Sequence, residues 1–279
     1  IVSTVETDTT DDVIIRGVII TKCIAEIADV GYIVVPDFVN EEEIAKIRHS
    51  LDTEVPMTEM RAIGVNTGKT MRAHNLLAKT RAVDWLFLDE RVRGIVDGVL
   101  GGLAHINVTT LFNVLPGEEK MYLHPDDGLW PIPRPHPTFL CNALIAFDDF
   151  DEENGATYVV PHSHKNPKAP SQDDGIQVPM KSGSALFWDG GLWHGGGPNI
   201  SKDRERLGFF MSHQVWYLRP QENQLLSVPR DVAKQMPRKL QRLLGYHRFG
   251  LGVDGRDPVD VLQDEIYVHE SARVGWRPE

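Results

Sequence analysis

Only two cysteines stand among the 279 residues, Cys23 and Cys141. Both lie in apolar stretches (ITKCIAEI and FLCNALIAF), where buried free thiols are common, so a disulfide framework is excluded and a reducing compartment, the cytoplasm, is expected. No apolar run approaches the roughly 20 residues that span a bilayer, so no membrane association is expected. The start, IVSTVETDTTDD, is acidic and Thr-rich and lacks the basic region of a secretory signal. Basic residues are in the minority, 29 against 40 acidic for a formal net charge of -11, and they are scattered along the chain. That distribution argues against a phosphate-binding surface, so nucleic acid is not an expected partner. Internal repeats and low-complexity tracts are missing too. The length suffices for a full core, and the chain reads as one domain over 1–279 with residues 1–15 a disordered lead.

Hydrophobic periodicity divides the rest. IITKCIAEIADVGYIVVPDFV reads as a helix closed by Gly31, followed by an apolar strand. Asn40 with Glu43 three residues on forms a capping box for the helix EEEIAKIRHSLDTEV. Residues 51–73 look irregular and polar, and NLLAKTRAVDWLFLDERVRGIVDGVLG has helical spacing up to Gly101 and Gly102. From about 104 the period changes: HINVTTLFNVL, TFLCNALIAFDDF, TYVVPHSH, SALFWDG and RLGFFMSHQVWYL are β-rich runs separated by Gly, Pro, Asn and Asp, which predicts an antiparallel sandwich or barrel over 104–220. RDVAKQMPRKLQRLLGY returns to a helical pattern.

His124 and Asp126 in YLHPDDGLW share a face of an extended segment, and His194 in LFWDGGLWHGGG lies far downstream. Two imidazoles and one carboxylate cover one face of a mononuclear non-haem iron and leave positions open for a cosubstrate and O2. The adjacent Asp127 points to the opposite face and should not reach the same ion. His162 and His164 in VVPHSHK follow a proline in a turn and read as hydrogen-bonded structural residues. His74, ahead of a helical pattern, reads as a packing or capping residue. Arg206 enters an apolar strand twelve residues past His194, where a guanidinium needs a partner and can take a carboxylate in a two-point fork. Arg204, flanked by acids, looks exposed. The segment DDGLWPIPRPHPTF carries Pro131, Pro133, Pro135 and Pro137 and must be a loop. It is expected to lie over the metal as a stiff lid or rim bearing Trp130, Arg134 and His136.

These motifs together resemble the phytanoyl-CoA dioxygenase family of Fe(II)/2-oxoglutarate-dependent oxygenases. The resemblance rests on LPG before HPDDGLWPIPRPHP, on DDFDEENGATYVVPHSHK, LFWDGGLWHGGGPNIS and RLGFFMSHQVWYLRPQENQ, and on the tail ending LLGY. It implies a double-stranded β-helix (jelly roll, cupin-like) core with flanking N-terminal and C-terminal helices. It also implies His124, Asp126 and His194 on Fe(II), Arg206 on the far carboxylate of 2-oxoglutarate, and Thr157 lining the cosubstrate pocket. Many relatives carry a Gln three residues before the first metal His, where this chain has Met121. The implied reaction is oxidation, in the first place hydroxylation, of a C–H bond of a small metabolite of the kind met in secondary metabolism, with O2 consumed and succinate and CO2 released. Asn75, Trp130, Arg134, His136 and Trp216 are candidates for the substrate pocket. The alternatives are an acyl-CoA substrate, which the lack of a Lys/Arg cluster near the motifs disfavours, a non-catalytic metal-binding β-helix protein, or a zinc isomerase or hydrolase on the same fold. Homo-oligomer formation is left open.

Overall fold

The computed structural model describes residues 10–55, 61–62, 68–247 and 256–263. In chain order the elements are α1 (Thr10–Asp29), β1 (Tyr32–Val35), α2 (Glu41–Glu54), β2 (Arg61–Ala62), β3 (Thr70–His74), α3 (Asp84–Leu88), α4 (Glu90–Leu100), β4 (Ala104–Val114), β5 (Leu140–Ala146), β6 (Thr157–Val159), β7 (Ile176–Val178), β8 (Ala185–Asp189), β9 (His194–Gly195), β10 (Arg206–Val215), α5 (Gln224–Ser227), α6 (Arg230–Gln235), α7 (Arg238–Leu243) and α8 (Pro258–Gln263). Seven strands form one antiparallel sheet in the order β1-β8-β5-β10-β4-β3-β2, and β7-β6-β9 form a second. Bridges at His124–His194, Phe150–Met180 and Asn154–Asn199 extend the smaller sheet.

Alternation along the central strands explains the layering. In β5, β8 and β10, Cys141, Ala143, Ile145, Ala185, Phe187, Phe209 and Met211 face one way and pack with helical residues such as Ile27, Ile47, Phe87, Ile95 and Leu240. Their neighbours Leu144, Ala146, Leu186, Trp188 and Phe210 face the other way and pack against Val159 and Val178 of the smaller sheet. Both faces of the large sheet are therefore buried, which is why these strands read as continuous apolar runs. Two facing antiparallel sheets with helices on the outer face of the larger one are the expected double-stranded β-helix core.

Four local expectations change. Helix α1 begins at Thr10, inside the stretch read as a disordered lead, because it is docked along α4: Cβ atoms on Gly94 and Gly98 would collide with Ile20 and Ile24. The lone helix expected after Asn75 is broken into a 3-10 turn, α3 and α4, since Asp89 caps a new start by accepting from the amides of Arg91 and Val92. The tail helix divides at Pro237, which has no N–H and holds Met236 extended at ψ 154°. Strand β3 lies in the segment read as irregular. Its Met71 and Ala73 face the core while Thr70, Arg72 and His74 face a cavity, so its alternation is present but its inward face is polar. The capping box at Asn40 and Glu43 and the left-handed Gly31 (φ 100°) after α1 form as expected.

Candidate metal and cosubstrate site

His124 and His194 are held together through the backbone. The amide of each donates to the carbonyl of the other, at 2.9 and 3.0 Å. So tight a pairing requires Gly195, where a Cβ would lie 2.9 Å from the Tyr122 carbonyl oxygen and 3.0 Å from that of Met121. Asp126 opens a 3-10 turn, and its amide donates to the carbonyl of Gly190, in the turn that leads to His194. Side chains of His124, Asp126 and His194 then converge, with one potential ligand atom from each lying within 4.8 Å of the others.

The orientation of each ring is set by its far nitrogen. Nδ1 of His124 faces the Tyr122 carbonyl at 3.2 Å and Nδ1 of His194 faces the Leu192 carbonyl at 2.9 Å, so both Nδ1 atoms carry the proton and both Nε2 atoms present lone pairs. Asp126 Oδ1 stands 3.7 Å from Nε2 of His124 and Oδ2 stands 3.4 Å from Nε2 of His194. Ligands about 2.1 Å from one ion and at right angles lie about 3 Å apart, so small side-chain rotations close the set. Oδ2 also accepts from Asn142 Nδ2 at 2.7 Å, which fixes the plane of the carboxylate. Burial, and after it the neighbouring His194, push the His124 pKa below its ordinary value, favouring the neutral imidazole that ligation needs. The donor chemistry therefore fits a divalent first-row metal, bound on one face.

Beyond the triad lies a cavity of about 290 Å³. Arg206, at the start of β10, opens into it while only 4% exposed. Its guanidinium lies 4.5 Å above the Phe150 ring, its Nε is buried with no hydrogen-bond partner, and burial pushes its pKa down to about 10 against the partial help of Asp148. Arg204, by contrast, is a surface residue paired with Asp151 and Glu153. Burial outweighs the help of Asp148, so this cation is only partly compensated and its Nε has no hydrogen-bond partner. Thr157 lines the same cavity, as do Leu144, Trp188 and Phe210.

A family model, phytanoyl-CoA dioxygenase (PhyH), matches residues 27–207. The chain belongs to this family. Dioxygenase cdmA of Talaromyces verruculosus is 27% identical over 234 residues, 77% of this chain and 79% of that relative. Among solved structures, the non-haem α-ketoglutarate-dependent epimerase SnoN of nogalamycin biosynthesis superposes with a TM-score of 0.61 at 18% identity, covering 71% of this chain and 84% of SnoN. HygX of Streptomyces hygroscopicus, with nickel, 2-oxoglutarate and hygromycin B bound, superposes with a TM-score of 0.58 at 18% identity, covering 72% and 87%. Membership in this family, together with the His–Asp–His cluster, makes the protein an oxygenase that uses iron, 2-oxoglutarate and O2.

The five residues expected at the substrate pocket of this family member do not line the cavity. Trp130 packs with Phe139, Leu140 and Val215. Trp216 makes an edge contact with Tyr217. Asn75 adopts a left-handed conformation (φ 55°) and binds Glu222 and the Ser227 carbonyl. Arg134 and His136 turn inward to Asp127, so the proline-rich loop braces the metal turn from behind where a rim had been expected. The cavity wall is made instead by β3 and β4: Thr70, Arg72 and His74 with Val108, Thr110 and Phe112. His74, read as a packing or capping residue, lines this cavity with Nδ1 held 2.9 Å from Thr110 Oγ1. The polar alternation of TMRAH was the signal available. His162 and His164 reach the carbonyls of Asp29 and Ala28 at the end of α1, a hydrogen-bonded structural role.

Proposed function

We propose that His124, Asp126 and His194 hold Fe(II), that Arg206 receives the distal carboxylate of 2-oxoglutarate in a pocket lined by Thr157, and that a small organic metabolite is oxidised at a C–H bond in the outer part of the same cavity. The observation that carries this reading is the buried guanidinium of Arg206, its Nε without a hydrogen-bond partner, opening into the cavity that the triad also lines. When bound, iron with 2-oxoglutarate and O2 supplies an oxidant able to attack an unactivated C–H bond, releasing succinate and CO2. The chain's own residues do the rest. The Nδ1 bonds of the two histidines hold the ligating tautomer, and Asn142 keeps Asp126 from rotating. Arg206 neutralises the cosubstrate's charge, and Leu144, Trp188 and Phe210 keep water from the reacting centre.

A small substrate suits the cavity better than an acyl-CoA. Apolar walls (Val108, Phe112) alternate with hydrogen-bonding groups (Thr110, His74, Gln221), and the acids Glu118 and Glu119 at the same wall oppose phosphates. The intact triad and Arg206 weigh against a non-catalytic role. Both cysteines are buried and free, which suits the cytoplasm, and no helix among the described residues is long and apolar enough to cross a membrane. We also read 1–279 as one oxygenase domain, since a shared apolar cluster runs from Cys23 to Leu262. Incubation with Fe(II), ascorbate, O2 and 2-oxoglutarate should give succinate and CO2, and a metabolite panel should accelerate their release. Absence of both turnover and metal binding, or product formation under strict anaerobiosis, refutes the reading.

A further inference from the structure

The carboxylate beside the metal ligand Asp126 is 3% exposed and belongs to Asp127. It forms an ion pair with Arg134 and lies 3.4 Å from Nε2 of His136, whose ring stacks on Phe139 at 4.4 Å. The second arm of the Arg134 fork points elsewhere. Its Nη1 donates to the Gly191 carbonyl at 2.8 Å and to the His164 carbonyl at 3.2 Å. The Gly190 carbonyl receives the amides of both Asp126 and Asp127, at 2.8 and 3.1 Å. The Gly191 amide donates to Asp189 Oδ1 at 2.7 Å, and Asp189 Oδ2 accepts from Thr138 at 2.6 Å. There is no slack in this assembly: a Cβ on Gly191 would meet Arg134 Nη1 and Asp127 Oδ2, each at 2.9 Å.

We infer that Arg134, acting through Asp127, is a positioning residue for the metal site. The inference rests on the reading of His124, Asp126 and His194 as that site. Arg134 touches no metal ligand directly. It ties the residue next to Asp126 to the glycine turn that ends three residues before His194. The two ligand-bearing segments are also joined by backbone bonds at Gly190, at the His124–His194 pair and from the Met121 amide to the Gly196 carbonyl. Without the guanidinium, Asp127 keeps His136 beside it but loses its ion pair while buried near Asp189, and the pair relaxes by moving the turn that carries Asp126. A lysine keeps the charge but lacks the planar fork needed to serve Asp127 on one nitrogen and two carbonyls on the other.

The test uses the whole chain and anaerobic Co(II) titration, because Co(II) absorption reports both affinity and ligand geometry. Thermal unfolding of the metal-free protein is measured alongside. Arg134→Gln should weaken Co(II) binding by about 10- to 100-fold and alter the absorption envelope while the metal-free protein still unfolds cooperatively. Arg134→Lys should recover little of the affinity. Asp127→Asn combined with Arg134→Gln should bind no more weakly than Arg134→Gln alone, since both changes break one assembly. If Arg134→Gln does not fold, Arg134→Lys and Asp127→Asn carry the same comparison. A general structural role would lower the unfolding temperature and leave Co(II) affinity and spectrum intact well below it, and that result overturns the inference. Failure of the unmodified chain to bind Co(II) overturns the metal reading and this inference with it. Tight binding by the unmodified chain and the variants alike overturns the clamp alone.

Discussion

Arg206→Met separates the cost of this guanidinium in the fold from the cosubstrate role proposed for it. In the fold it is a cation 4% exposed, and a pKa lowered from 12.5 to about 10 corresponds to a cost of about 3 kcal/mol for keeping it charged. Its position 4.5 Å above the Phe150 ring returns about 2 kcal/mol, the upper range for a desolvated cation–π contact. An apolar side chain of similar length should thus leave the cosubstrate-free protein about 1 kcal/mol more stable, a rise in Tm of about 2–4 °C for a chain of this size. The loss appears on adding cosubstrate. Two charge-assisted hydrogen bonds at about 1.5–3 kcal/mol each amount to at least a hundredfold in 2-oxoglutarate affinity. The assay is thermal unfolding with Mn(II), with and without 2-oxoglutarate. At a hundred times Kd the cosubstrate should stabilise the unmodified protein by about 2.7 kcal/mol and the variant hardly at all. A variant that melts well below the unmodified protein without 2-oxoglutarate, yet shifts normally with it, would show that Arg206 is a structural cation.

Asn142→Leu removes the donor to Asp126 Oδ2 and should lower metal affinity roughly tenfold at little cost in folding, read by Mn(II) titration; unchanged affinity would release Asn142 from the role. Gly195→Ala places a methyl about 3 Å from two carbonyl oxygens, so it should cost about 1–3 kcal/mol and open the His124–His194 pairing. Metal binding at the original affinity in that variant would contradict the backbone account of the triad. Asp84 has its pKa raised from 3.8 to about 6 by burial, opposed by Arg81. The folded state holds that proton where the unfolded state has lost it, so the associated stability is present below pH 3.8 and is lost as pH rises through 6. Asp84→Asn should gain on the unmodified protein between pH 4 and 7, and a difference in Tm that stays flat over that range would remove burial as the cause.

The layers of the fold were legible where apolar side chains set the period. Strands β5, β8 and β10 announce themselves because both of their faces are covered, and α2 does so because Asn40 and Glu43 complete its cap. Strand β3 is illegible for the opposite reason: its inward face carries Thr70, Arg72 and His74, and polarity toward a cavity looks in sequence like polarity toward water. The convergence of His124, Asp126 and His194 and the burial of Arg206 are legible because two imidazoles with a carboxylate, and an Arg entering an apolar strand, are particular residue types in particular places. The pocket wall is not, since Val108 and Thr110 become pocket residues only through the register of β4 with β3 and β10.

The misplaced loop is the most instructive case. Four prolines and a Trp, an Arg and a His close behind Asp126 suggest a rim over the metal, and the spacing is compatible with either side of the turn. What decides the side is the second aspartate of the pair. Successive side chains of a 3-10 turn point about 120° apart, so a turn that aims Asp126 at the histidines aims Asp127 away from them, into the interior, where an unpaired carboxylate is costly. Arg134 and His136 are the cationic and hydrogen-bonding groups within reach, and the loop folds behind the turn to bring them there. On the proposed reading, the order His-Pro-Asp-Asp joins two requirements, one carboxylate for the ion and one for the scaffold around it. By this reasoning, exchanging Asp127 for an apolar residue while keeping Arg134 should be worse than changing both, because it leaves a buried guanidinium without its acid.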